Sequence, residues 1–326
     1  MIKKPALAVI SALVMSTAMA QTPTTADSFP DKPIRIVVAS AAGGASDIVS
    51  RVIAEKMRQK FGQSVLVEAK PGANGNIAAE FVAASPADGY TLMMGTIGVM
   101  AINASLYKNV KYDPLKDFAP VARLVSFSNI LIVKSELPVK SVPELIAYVK
   151  ARPDAVRYGS PGAGGSPHMA MVTFNQMAGL KLVHVPYKGA AAALNDLMGG
   201  HIDLAFSDPL LTLQHVGGDR VRALGVSGSR RLQSAPDIPT VAEAGVPGFD
   251  VTGWLGFVAP AGTPQARIDL LNSTVNEILA MPDVTAKLIE QGAEIIPGTP
   301  KDFGDHIRAE HARWKKVIAE EKLAAD

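Results

Sequence analysis

The sequence predicts an α/β fold, in which strands and helices alternate along a chain long enough for two domains. Short apolar runs such as Ile34–Val38 are typical of buried strands, and amphipathic segments such as 47–60 follow them with helical periodicity. Alternation of this kind favours domains built on largely parallel sheets. With 326 residues, 48% of them hydrophobic, the chain can bury two cores of ordinary size.

The predicted elements follow one another in a regular order. In residues 47–60, Val49 and Ile53 fall on one helical face and Arg51 falls on the opposite one. The alternation restarts after a connection near residues 125–135. Further strands are predicted at 64–67, 90–94, 157–159, 182–186, 202–206 and 221–226, and further helices at 141–150, 166–177, 190–198, 265–280, 284–291 and 300–322.

The first twenty residues have the composition of a secretory signal peptide. Two lysines precede the apolar run Ala6–Met15, and the small residues Ala18 and Ala20 stand at the spacing that a signal peptidase accepts. The apolar run is too short to cross a bilayer, and the absence of a following cysteine excludes a lipoprotein anchor. We therefore expect cleavage after Ala20 and a mature, soluble chain that begins at Gln21 in the periplasm.

Charge and cysteine content exclude several classes of function. Cleavage would remove two of the 32 basic residues and no acidic residue, which leaves 30 of each and a formal charge of zero. Nucleic-acid binding requires a basic excess or a basic patch, so we expect no nucleic-acid partner. The chain contains no cysteine, which excludes disulfides, zinc sites with cysteine ligands and thiol catalysis.

The first strand-to-helix loop, Ser40–Asp47, has the features of an anion site. Gly43 and Gly44 let the backbone approach a ligand closely, Ser46 is a suitable N-cap, and Asp47 complements the positive end of the helix dipole. The first N–H groups of a helix lack intrahelical partners and attract anions. A tight turn without any ligand explains this loop equally well.

A second loop in the other half of the chain repeats this architecture. Ser160 ends a predicted strand, Pro161–Gly165 forms a glycine-rich turn, and a helix begins near Ser166 with Pro167 in its first turn. Two such helix N-termini facing each other across a cleft would suit a ligand with two negative ends. Glycine turns are also common in parallel-sheet domains that bind nothing at them.

Two further side chains are candidates for ligand contact. His168 lies just inside the second helix, where it would contact a ligand or cap and pack the helix. Asp208 follows the predicted strand 202–206 and would orient a ligand or cap a helix that starts at Pro209. The ligand-binding candidates are Ser40, Ala42, Gly43, Gly44, Asp47, Ser160, Gly162, Ala163, Gly164, Gly165, Ser166, His168 and Asp208.

The sequence contains no recognisable catalytic, nucleotide or metal motif. No Gly-x-Ser-x-Gly elbow and no Gly-Lys pair of a P-loop occurs. His306 and His311 are five residues apart, whereas two zinc ligands on one helical face need a spacing of four. We expect binding without catalysis, no metal site and no cofactor.

Several motifs along the mature chain together resemble the Bug family, the extracytoplasmic receptors of tripartite tricarboxylate transporters. Their order and spacing carry the resemblance. The motifs are Lys32–Val38 leading into Gly43, Gly44 and Asp47, then Ala87–Leu92, Val185–Gly189, Ile238–Gly245, and Trp254 followed by Ala259–Pro264.

The resemblance implies a two-lobed clamshell, the periplasmic-binding-protein fold, with the ligand cleft between the lobes. One lobe would contain residues 30–127 and 250–326, and the other residues 128–249. The hinge segments would lie near 125–130 and 245–253.

The same resemblance implies a function. A small carboxylate (a dicarboxylate, tricarboxylate or aromatic acid) would be held by backbone N–H groups of the two loops, and a monomeric receptor would present it to inner-membrane transporter subunits. A periplasmic sensor that reports the ligand to a signalling kinase is the alternative. An enzyme using Asp47 or Asp208 is a third reading.

Two positions qualify what the resemblance implies. Family members usually have an aromatic residue where this chain has Ser40, so Ser40 would either make room for a bulkier ligand or donate a hydrogen bond. The motif Val185–Gly189 is expected to form a structural turn and not to contact the ligand.

Overall fold

The computed structural model describes residue 1, residues 28–40 and residues 43–325. The predicted signal peptide, apart from Met1, and Ala42 of the first loop lie outside these described residues. Strands and helices alternate around two β-sheets, which confirms the predicted α/β class. Within the described ranges, no helix combines the length and the apolarity that crossing a bilayer requires.

The first sheet has three neighbouring parallel strands and three antiparallel ones. β1 pairs in parallel with β2 and β3, whereas β10 runs antiparallel to β3 and β4, and β11 runs antiparallel to β4. These strands are β1 (Ile34–Val38), β2 (Val65–Ala69), β3 (Thr91–Thr96), β4 (Phe118–Ser128), β10 (Thr252–Pro260) and β11 (Ala293–Ile295), in the spatial order β11-β4-β10-β3-β1-β2.

The second sheet repeats the plan with five strands in the described chain. β6 pairs in parallel with β7 and β8, and β5 runs antiparallel to β8 and β9. The strands are β5 (Ile130–Lys134), β6 (Arg157–Ser160), β7 (Val183–Pro186), β8 (Leu204–Ser207) and β9 (Val221–Val226), in the spatial order β7-β6-β8-β5-β9.

Helices connect the strands and bury their apolar faces against both sheets. The helix predicted at 47–60 spans 45–61 and buries Val49, Ile53 and Met57. A 3₁₀ turn at 73–75 and a π-helical turn at 98–102 complete the connections. The helices are α1 (Ala45–Phe61), α2 (Asn76–Ala83), α3 (Asn103–Leu106), α4 (Val142–Lys150), α5 (Ser166–Ala178), α6 (Ala190–Met198), α7 (Pro209–Thr212), α8 (Gln265–Leu279), α9 (Pro282–Glu290) and α10 (Pro300–Glu320).

The expectation of largely parallel sheets is wrong, because each sheet is mixed. The two longest strands, β4 and β10, pair with each other along their length and were not predicted. Pro120 and Arg123 interrupt the apolar pattern of β4, and Gly253 and Gly256 interrupt that of β10. A strand between two partners is stabilised by its neighbours, so its own sequence carries little of the signal.

The chain crosses from one sheet to the other at two adjacent points. β4 ends at Ser128 and β5 begins two residues later, so the first crossing is centred on Asn129. The return crossing enters β10 through Val251. The two are bonded together, since Asn129 N–H donates to Ser227 Oγ (2.8 Å) and Val251 N–H donates to Ser227 O (2.8 Å). Both crossings lie in the predicted hinge segments; the lobe boundaries stay a prediction.

Candidate ligand-binding site

A cavity of about 510 Å³ lies between the two sheets, where loops from both meet. Parallel strands end at one edge of a sheet, and in open α/β sheets ligands bind beyond the carboxyl ends of the strands. The loops after β1, β6, β7 and β8 all reach this cavity. It is lined by Ser40, Gly43, Gly44, Ala45, Ile48, Val49, Phe127, Pro161, Lys188, Gly189, Ala190, Ala191, Ala192, Asp208, Pro209, Leu211 and Gln291.

The N-terminus of α1 opens onto this cavity. Its N-cap is Gly44, in an extended conformation (φ −77°, ψ 163°), and no side chain caps the helix. The N-cap role expected for Ser46 is therefore wrong, because the helix begins one residue earlier, at Ala45, and Ser46 is buried inside the first turn. The first N–H groups of α1 consequently have neither an intrahelical acceptor nor a side-chain cap.

Asp47 holds the first loop in place from inside the protein. Its side chain is buried, with 3% of the residue exposed, and it does not line the cavity. Gly43 N–H donates to Asp47 Oδ2 (3.0 Å), and Arg51 Nε donates to both carboxylate oxygens (3.0 Å each). The hydrogen bond from Arg51, aided by that from Gly43, lowers the pKa of Asp47 despite its burial.

Ser40 lies on the wall of the cavity and has a hydroxyl without a partner. Its Oγ is buried and makes no hydrogen bond within the described chain. A buried hydroxyl without a hydrogen bond is unfavourable, so a ligand group that bonded to it would gain affinity.

The second predicted loop lies beside the cavity and contacts a segment that joins two strands of the first sheet. Only Pro161 of this loop lines the cavity, and residues 162–165 do not. Tyr107 Oη donates to Ala163 O (3.2 Å), so the loop is bonded to the segment after α3. Gly164 is buried. The expected arrangement, with the α1 and α5 N-termini facing each other, is therefore not what surrounds this cavity.

Helix α5 begins in the same way as α1, with Gly165 and Ser166 in the positions that Gly44 and Ala45 occupy in α1. Gly165 is the N-cap and no side chain caps the helix. Ser166 Oγ accepts a hydrogen bond from Asn129 Nδ2 (3.3 Å), the residue at the first crossing between the sheets. This helix start is directed at the crossing, so direct ligand contact by Gly162, Ala163, Gly164, Gly165 and Ser166 stays a prediction.

Two histidines in ring contact support the second loop. The rings of His168 and His184 are 4.4 Å apart between centroids, and Ser160 Oγ lies 2.7 Å from His184 Nε2. Ser160 Oγ donates to Gly162 O (3.0 Å), and His168 Nδ1 accepts from Gly164 N–H (3.3 Å). Burial lowers the pKa of His168 to about 3, with repulsion from His184 adding to the effect. A neutral imidazole is what this acceptor role needs.

The side of the cavity opposite α1 is formed by the start of α6, which sequence reasoning missed. Lys188 and Gly189 follow β7, and Gly189 is an N-cap with a positive φ of 115° and no side-chain cap. Lys188 is exposed, and no acidic side chain in the described chain pairs with it. Lys188 and Gly189 line the cavity, and the expectation that the motif Val185–Gly189 forms a structural turn without ligand contact stays a prediction. A strand followed by glycine and a helix was the available signal.

Asp208 contributes an acidic group to the same cavity. It occupies the N-cap position of α7, but its side chain makes no capping bond to that helix. Burial raises the pKa of the Asp208 carboxyl. No group of three or more His, Asp or Glu side chains in the described ranges is placed to hold a metal ion.

Residues 49–323 match the family described as "Tripartite tricarboxylate transporter family receptor". The chain belongs to this family. BugT of Bordetella pertussis strain Tohama I is 34% identical over 315 residues, which is 96% of each chain. The resemblance to Bug receptors is thus confirmed.

Two solved structures share the fold. R. palustris Rpa4515, solved with adipate, is 38% identical, covers 91% of this chain and 99% of its own, and has a TM-score of 0.84. MatC of Rhodopseudomonas palustris, solved with bound malate, is 31% identical, covers 89% of this chain and 100% of its own, and has a TM-score of 0.80. These similarities confirm the predicted two-lobed fold. Membership of a receptor family confirms the prediction that the protein binds a solute without catalysis.

Proposed function

We propose that the protein is a periplasmic receptor that captures a small carboxylate for a tripartite inner-membrane transporter. One observation carries the proposal. Two helix N-termini, those of α1 and α6, line one cavity between the lobes, and the basic residue Lys188 lines it as well. Each helix has a glycine N-cap, so no protein side chain competes for its first N–H groups.

The electrostatics of this cavity favour an anion. A helix N-terminus acts as roughly half a positive charge, and Lys188 adds a full one. The acidic side chain of the first loop, Asp47, is neutralised by Arg51 behind the loop. A carboxylate has two oxygens with several lone pairs, and it can accept N–H groups from both lobes at once.

The shape and lining of the cavity favour a ligand with an apolar body. Ile48, Val49, Phe127 and Leu211 form much of the wall around the polar groups. Specificity in such sites comes from a few polar groups set among apolar ones. The relatives solved with adipate and with malate support a carboxylate as the ligand class.

Ligand capture would close the two lobes around the carboxylate. We place the boundary between residues 30–127 with 250–326 and residues 128–249, with the hinge at the bonded crossings near Asn129 and Val251. Hinge closure between lobes is a common response of such receptors to a ligand. In this arrangement Ser40, Gly43 and Gly44 contact the ligand from one lobe, and Lys188 contacts it from the other.

The remaining predicted residues act through the loops that they hold. Asp47 fixes Gly43, and Ser160 and His168 fix the loop that presents Pro161 to the cavity. Export through the predicted signal peptide, with cleavage after Ala20, would bring the receptor to its partner.

The substitution Ala45→Pro tests the proposal at a single hydrogen-bond donor. Ala45 is the first residue of α1 and is exposed at the cavity. Proline is well tolerated at the first helical position, and Gly44 already has the extended conformation required before proline. The variant should therefore fold normally but lack one N–H group. Because a hydrogen bond to a charged group contributes about 1.5–3 kcal/mol, the Kd should rise roughly 10- to 100-fold.

Calorimetry of the mature protein with adipate, malate, succinate, citrate and benzoate measures this effect, and Ala45→Ser, which keeps the N–H group, is the matched control. Ala190→Pro repeats the test at the start of α6. The proposal fails if neutral sugars or amides bind and no carboxylate does, or if both proline variants bind carboxylates as tightly as the wild type.

A further inference from the structure

The carboxylate of Asp208 stands in the proposed ligand cavity without a partner. It does not cap α7, and within the described part of the chain no donor or cation is bonded to it. Its surroundings are apolar, since Pro161, Ala190 and Leu211 line the cavity beside it. An ionised carboxylate in such a place costs free energy unless a donor reaches it.

The order of the second sheet fixes where Asp208 lies relative to Lys188. Lys188 follows β7 and Asp208 follows β8, and β6 lies between these two parallel strands. With neighbouring strands about 4.8 Å apart, the two backbones are about 10 Å apart at this edge of the sheet. Pro161, after β6, lies between them at the cavity wall. One wall of the cavity therefore has a cationic side and an acidic side.

The two charged sides of the cavity favour different groups of a ligand. The cationic side, with Lys188 and the N-terminus of α6, accepts a carboxylate. The acidic side repels a second carboxylate and favours a group that donates a hydrogen bond. The raised pKa of Asp208 agrees with this view, because a carboxyl group that lacks a donor retains its proton more readily.

We propose that Asp208 selects, among small carboxylates, those that also carry a hydroxyl or ammonium group able to donate to it. The ligand carboxylate lies at Lys188 and the helix N-termini, and the ligand's donor reaches the Asp208 carboxylate. This inference rests on the proposed function, because it assumes that the cavity binds carboxylates.

Ligands with and without a donor differ in affinity because one kind leaves the Asp208 carboxylate without a hydrogen bond in the complex. When the ligand has no donor, closure leaves Asp208 buried without a hydrogen bond, whereas a donor satisfies it. Sites built to bond a ligand hydroxyl or amine reject the analogue that lacks it far more strongly than apolar pockets reject a missing methylene. We expect at least a tenfold preference.

Matched ligand pairs test the inference by calorimetry of the mature protein. The three pairs are succinate against malate, succinate against aspartate, and benzoate against 4-hydroxybenzoate. In the wild type, the member with the donor should bind at least tenfold more tightly in at least one pair. In Asp208→Asn, whose side chain is neutral and bonds either kind of group, the ratio should fall below threefold.

Asp219→Asn is the matched control, because it removes the same charge from an exposed position outside the cavity lining. The ratio within a pair is the readout, so partial unfolding of a variant does not mimic the effect. If carboxylates bind but the donor gives no preference, or the preference survives in Asp208→Asn, the inference is overturned and the proposed function stands. If no carboxylate binds to any variant, the proposed function fails first.

Discussion

The loops before α1 and α5 have almost the same backbone and lie in different environments. The N-caps Gly44 and Gly165 have φ and ψ of −77° and 163° and of −79° and 163°. Gly43 and Gly164 have φ of 84° and 86°. Yet Gly43 is exposed at the cavity, whereas Gly164 is buried beside Asn74 and Leu106.

Each loop is also fixed by the same bond, made by a different kind of side chain. Gly43 N–H donates to the side chain four residues later, which is Asp47, and Gly164 N–H donates to the side chain four residues later, which is His168. The first acceptor is an anion paired with Arg51. The second is a buried neutral imidazole. One backbone motif thus forms a loop at the cavity in one place and a buried, packed loop in the other.

Substituting alanine for Gly43 and, separately, for Gly164 should distinguish the exposed loop from the packed one most clearly. The strain of alanine at a positive φ, about 1 kcal/mol, is common to both positions. At Gly43 a Cβ meets nothing within 4 Å, but at Gly164 it lies 2.9 Å from Asn74 Nδ2 and from Leu106 Cδ2. Asn74 is bonded to Asn103 and Leu106 is buried, so neither side chain moves away freely.

Gly164→Ala should therefore lower the free energy of unfolding by about 3 kcal/mol, and Gly43→Ala by about 1 kcal/mol, because overpacking adds roughly 1–3 kcal/mol. Urea unfolding of both variants beside the wild type measures the difference. Equal losses would mean that the second loop is no more tightly packed than the first.

Acidification should weaken the second loop before the first. In the unfolded chain His168 titrates near 6.5, but its pKa is about 3 in the folded protein, so folding favours the neutral form. Its contribution to stability is complete above pH 6.5 and declines as the pH falls towards 3. At pH 5 the loss is about 2 kcal/mol from this residue. The lowered pKa of Asp47 keeps its own contribution intact until the pH falls below about 3.8.

Urea unfolding at pH 7 and at pH 5 measures this loss. His168→Gln retains an acceptor without titrating in this range, and it should reduce the difference between the two pH values by about 2 kcal/mol. His201→Gln, at an exposed position, is the control and should leave the difference unchanged. A pH dependence in His168→Gln identical to that of the wild type would contradict the role given to this imidazole.

The sequence was sufficient for several local elements but not for the N-cap of α1. β1, α6 and β9 begin and end at the predicted residues, because their apolar periodicity is strong and glycine or proline lies near their ends. β4 and β10 were missed because they are stabilised by each other.

The composition of the cavity wall could not be predicted, for a related reason. The signal of a glycine N-cap after a strand occurs at Gly44, Gly165 and Gly189 alike. Which of the three helix starts faces the cavity depends on the strand order β7-β6-β8 and on the packing of the two lobes. Both are properties of residues far apart in the chain, so Lys188 was overlooked.

Substitutions at Ser40 should give the smallest change in stability, and they distinguish a hydrogen-bonding role of its side chain from a role in setting the size of the cavity. Its hydroxyl is buried without a partner, so Ser40→Ala should change the free energy of unfolding by no more than about 0.5 kcal/mol. If the hydroxyl bonds to the ligand, the same variant should bind carboxylates roughly 3- to 10-fold more weakly. Ser40→Phe instead fills part of the cavity of about 510 Å³ and should reorder the ligands by size, bulky ones losing most. Calorimetry with succinate, adipate and benzoate distinguishes the two effects, and unchanged affinities in both variants would remove Ser40 from the site.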